Sequence, residues 1–135
     1  MFSAALPRLS IEVVDMALDL IGIKVSIVIS DPWDFITEQG EGPITGKIIK
    51  VGANSWKPGQ DAILIHIDTP LKFKGVCCEY FIATPRHERE SIAALKDGNA
   101  IVCNFARIPS DKANSNNPFD LSWWRGGIAL VGTLQ

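Results

Sequence analysis

The sequence predicts a mainly β fold, a β-rich α+β domain built as a small antiparallel barrel or strongly coiled sheet of about six strands. Three observations carry that prediction. Apolar and polar residues alternate with period two through several short segments, as half-buried strands require. Gly and Pro punctuate those segments at short, regular spacing. Helical patterns do not alternate with the strands, which a doubly wound α/β sheet would need. A β-sandwich is the alternative all-β architecture.

Residues 10–22 read as a helix, with Ser10 as cap, Glu12 in the first turn and Gly22 at the close. Ile11, Val14, Leu18 and Ile21 form an apolar stripe, while Glu12, Asp15 and Asp19 form an acidic one. Such a helix packs on the sheet, and its broad apolar face also suits a partner. Residues 23–30 read as the first strand, with Ile23, Val25, Ile27 and Ile29 sharing a face, and Asp31–Pro32 stops it. Residues 44–51 form the second, between Gly42–Pro43 and Gly52. Residues 62–68 form the third, with Ile63, Ile65 and Ile67 inward and Leu64 and His66 outward. Residues 76–84 form the fourth, ended by Pro85, and 88–96 a short helix closed by Asp97–Gly98. Residues 100–108 form the fifth strand and 109–122 a polar loop. The sixth strand, 123–134, is interrupted at Gly126–Gly127, where a bulge or sharp bend fits.

If these strands form a simple meander, alternate connections share an end, and a composite site draws from one end only. Connections 31–43, 68–75 and 109–122 then gather Asp31, Trp33, Asp34, Phe35, Phe119 and Trp123. Connections 52–61 and 85–98 gather Asn54, Trp56, Lys57, Arg86, His87 and Arg89 at the other.

A chain of 135 residues with 47% hydrophobic content fits one domain with a core of its own. A net charge of −2 and a pI near 5.6 argue against a dedicated nucleic-acid binder and against docking on an anionic membrane. Glu12, Asp15 and Asp19 break the early apolar run, so neither a signal peptide nor a membrane span is expected. Three cysteines, Cys77, Cys78 and Cys103, make no disulfide framework. The adjacent pair should face opposite sides of a strand, and reduced thiols fit a cytoplasmic setting. Two isolated histidines supply no metal-ligand set, no phosphate-binding loop or dinucleotide fingerprint is present, and no cofactor is expected.

Three stretches remain as candidate sites. Asp31-Pro32-Trp33-Asp34-Phe35 places two carboxylates and two aromatics just past a strand end. They suit acid–base work if burial beside Trp33 raises one pKa, and otherwise plug the barrel end. Arg86 and His87, with Glu88, Arg89 and Glu90, suit an anion grip or a base, or simply a solvated helix start. Trp123, Trp124 and Arg125 are residue types found at interface hot spots, and Trp56 completes a set of four tryptophans. The leading expectation is a non-catalytic binding or interaction protein, such as a cytoplasmic inhibitor or accessory protein. It would have a protein partner or form a homodimer through the N-terminal helix. A small-ligand-binding barrel, or a hydrolase-like enzyme with an Asp/Trp pocket, is the alternative. Single-stranded nucleic-acid binding on an OB-like sheet is the third reading.

Overall fold

The computed structural model describes residues 19–40, 42–53, 59–87, 90–120 and 130–135. Six antiparallel strands close into a barrel in sequence order: β1 (Lys24–Asp31), β2 (Ile44–Ala53), β3 (Asp61–Phe73), β4 (Val76–Pro85), β5 (Ile101–Arg107) and β6 (Leu130–Leu134). The fold is therefore the mainly β barrel that alternation and punctuation predict, in meander order. Most of the predicted helix 10–22 and the Gly126–Gly127 break lie outside the described residues.

Period-two patterning sets the layers. Val25, Ile27 and Ile29 of β1 face the interior, as do Ile63, Ile65 and Ile67 of β3. Phe81 and Phe105 complete that core, their rings edge to face at 6.1 Å. Closing so few strands needs strong coiling, and two features supply it. The pairing register shifts between Ile29 and Asp31, between Ile48 and Lys50, and between His66 and Leu71. At Gly46 and Gly132 the neighbouring strand comes so close that a Cβ would lie 2.7 Å from the His66 carbonyl oxygen and 2.5 Å from that of Val28, respectively. Only glycine admits such an approach.

Each end of the barrel has its own plug. At one end α1 (Trp33–Gln39) connects β1 to β2 and drops Phe35 onto Phe73, ring centroids 4.9 Å apart. Sequence reasoning takes this stretch for a turn with plugging aromatics; the plug is present, but it is carried by a helix. At the other end Leu20 and Ile92 are fully buried in the same core. Ile92 opens a 3-10 helix (Ile92–Asp97) where a helix over 88–96 is predicted. The Ser91 hydroxyl accepts from the Ala93 N–H, and Gly98 closes the helix in the left-handed region, as Asp97–Gly98 implies. Lys96 reaches Asp19 at 2.7 Å and ties the two pieces of that plug together.

The connection after β5 departs from the meander grouping. It holds a short helical turn, α2 (Ser110–Ala113), and does not stay at the α1 end. Ile108, Ala113 and Phe119 lie across Ala62, Leu64, Ile82 and Ala106 as a second apolar layer outside the barrel. Phe119 packs over Gly52, near the far end of β2, where a Cβ on Gly52 would lie 2.4 Å from the ring. The physical reason is burial: β3 and β4 are apolar on both faces here, and their outer face needs a cover.

Candidate functional site

A concave feature with apolar walls sits where α1 meets the barrel. It is a pocket of about 410 Å³ between α1, β1, the start of β2 and the bulged part of β3. Ile29, Phe35, Ile36, Ile44 and Leu71 supply its apolar walls, and Gln39, Thr45 and Thr69 its polar side chains. Gly40 and Gly42, both at positive φ, let the chain turn from α1 into β2 around the pocket.

The helix that forms one wall is fixed to the β3–β4 hairpin by polar contacts. Lys74 pairs with Asp34 at 2.9 Å, and the Lys74 N–H donates to a Glu38 carboxylate oxygen at 2.9 Å. Gln39 Nε2 donates to the Lys72 carbonyl. The hydrogen bond from Lys74, with its positive charge, holds the Asp34 carboxyl below the usual carboxylate range. The Thr45 hydroxyl donates to Asp68 at 2.7 Å, which orients it at the pocket edge.

The predicted site residues are distributed as follows. Asp31 ends β1 and is exposed. Trp33 opens α1 with 72% of its surface exposed, and its neighbour Phe35 is the one that is buried. Asp31, Trp33 and Asp34 thus flank the pocket in sequence, yet none of them lines it. Arg86 and His87 are exposed at the opposite end. The Arg86 guanidinium donates to Asn104 at 3.1 Å, and the His87 carbonyl accepts from the Gln60 side chain at 3.2 Å. Trp56, Trp123, Trp124 and Arg125 lie outside the described residues.

Sequence reasoning missed Ile36, Gln39, Thr69 and Leu71. The signal for the first two is present: a Pro before and a Gly after a seven-residue stretch frame a short helix. Thr69 and Leu71 carry no such signal, because the irregularity between His66 and Leu71 that turns them to the pocket depends on pairing with β4.

Two of the three thiols are enclosed by the barrel. Cys77 is exposed while Cys78 and Cys103 are buried. Burial pushes both buried thiols up to about 12, so they stay protonated at neutral pH. Asp61 is the one buried carboxylate among the described residues; its Oδ2 has no hydrogen-bond partner there, and burial raises its pKa. Among the described residues no group of His, Cys, Asp or Glu stands together in a way that could hold a metal ion. No described helix is long and apolar enough to cross a membrane.

No protein-family model matches the chain, and no curated protein or solved structure is significantly similar to it.

Proposed function

We propose that the protein is a non-catalytic binding barrel whose ligand is a small, largely apolar molecule held between α1 and the barrel wall. The observation that carries this reading is the pocket itself: about 410 Å³, walled by Ile29, Phe35, Ile36, Ile44 and Leu71. That volume falls in the ordinary range for small-molecule sites and takes a compact molecule of roughly ten to fifteen non-hydrogen atoms. Gln39 and Thr69 stand where a hydroxyl or carbonyl on the ligand would meet them. The enzymatic alternative draws no support from Asp31 and Asp34, which are exposed and off the pocket lining.

The test uses n-octanol as probe and follows methyl resonances by NMR. Saturable shifts at Ile36, Ile44 and Leu71, abolished by Thr69→Trp, which fills the pocket from an exposed position, are the expected result. Shifts scattered over the surface, or unchanged in the filled variant, defeat the proposal.

A protein partner is the second reading, favoured by one observation. Trp33 is a large aromatic left 72% exposed on a helix that is itself firmly docked. Such a partner, or a second copy of the chain, would bury it, and the Trp33→Ala variant would lose the complex in size-exclusion chromatography.

A further inference from the structure

The pairing register brings together four side chains that are far apart in sequence. Lys24 of β1 is opposite Lys47 of β2, Lys47 is opposite His66 of β3, and His66 is opposite Tyr80 of β4. Each alternates with an inward neighbour: Val25, Ile48, Ile65 and Phe81 are buried in the core. The four therefore form one row on the outer face, at right angles to the strands, and cross a width of roughly 14 Å at ordinary strand spacing. Lys24, Lys47 and His66 are exposed and Tyr80 is half-buried. The His66 and Tyr80 rings are stacked, 4.7 Å apart and 20° from parallel. No ion pair among the described residues engages either lysine. An acid of the adjoining row, Asp68, accepts from the Thr45 hydroxyl.

We propose that this row binds single-stranded nucleic acid, with a base stacked on the exposed His66 ring and the phosphates beside it neutralised by Lys47 and Lys24. Stacking platforms flanked by cations are how single strands are held without sequence readout. Complementary charge and a ready π-face are both present in the row. The face is the outer surface of the sheet, and a single nucleotide gains few contacts on it. A polymer repeats them. The overall charge of −2 opposes general affinity for nucleic acid, so binding here rests on the charges within a screening length of the row, about 8–10 Å at ordinary salt, and is read at low salt. This site is separate from the pocket beside α1, and the two proposals stand or fall independently.

The experiment is fluorescence anisotropy with a labelled oligothymidylate about fifteen nucleotides long, at about 0.05 M salt. Expected are binding by the unaltered protein and a fall in log K with log salt of slope about −1.4, from two phosphate contacts at about −0.7 each. Lys47→Gln should roughly halve that slope. His66→Ala should weaken binding about fivefold or more while leaving the slope intact. Both are exposed positions, and an unchanged thermal midpoint confirms that the variants fold. Absence of binding at low salt overturns the proposal. So do affinity that survives both substitutions, equal affinity for duplex DNA, and competition by adenosine monophosphate at oligonucleotide concentrations.

Discussion

At the scale of single residues, Asp61 carries the clearest consequence. It ends the inward-facing row of β3, is nearly fully buried, and has an oxygen with no partner among the described residues. A buried carboxylate so placed resists ionisation, which is why its pKa is raised. The sign of its linkage follows. The folded-state pKa lies above the unfolded one, so the stability Asp61 contributes is complete below the unfolded value. It is lost as pH rises through the folded value. Urea denaturation of Asp61→Asn beside the unaltered protein is expected to show a difference that favours the variant increasingly from about pH 4 upward. A difference independent of pH would mean that Asp61 is not desolvated. Asp34 works in the opposite sense, since Lys74 lowers its pKa, but it is exposed and its share is small.

At the scale of elements, α1 does two jobs at once. Its inner side plugs the barrel through Phe35, and its following residues Ile36 and Gln39 line the pocket. Removing the ring leaves a cavity against Phe73. Phe35→Ala is therefore expected to cost about 3–5 kcal/mol of unfolding free energy by chemical denaturation. Trp33→Ala, two residues away and largely exposed, is expected to change stability by less than about 0.5 kcal/mol. Asp31–Pro32 is legible in the sequence as the end of a strand. The helix that follows is less so, because seven residues give too short a window for helical periodicity to stand out. The segment after β5 shows a different limit. Its composition reads as a solvated loop, yet Ala113 and Phe119 are buried. They are too sparse to make a periodic pattern, and the surface they cover is assembled from β3, β4 and β5.

At the scale of the whole molecule, barrel closure decides which groups solvent can reach. Of the three cysteines, Cys77 points outward near the hairpin while Cys78 and Cys103 are enclosed. A thiol-reactive probe such as Ellman's reagent is expected to modify one cysteine rapidly in the native protein. The other two should react only as fast as the barrel opens, since each is both protonated and shielded. Rapid reaction of two or three thiols would contradict the closed barrel. Strand pairing converts registers into surface neighbours, so that Lys24 and Tyr80 belong to one row despite their distance along the chain.

What the sequence alone determined is local: the strands, their inward faces, the stop at Asp31–Pro32 and the close at Gly98. These follow from alternation, proline and glycine, whose effects act within a few residues. The mainly β class follows from the spacing of those same signals, whereas the meander order is an assumption there and is given by the strand pairing. Only the tertiary structure decided the rest: the pocket beside α1, the apolar layer over β3 and β4, the buried carboxyl group of Asp61 and the row from Lys24 to Tyr80. Each depends on which residues face one another across strands. That is set by registers and bulges, and those depend on how all six strands close together.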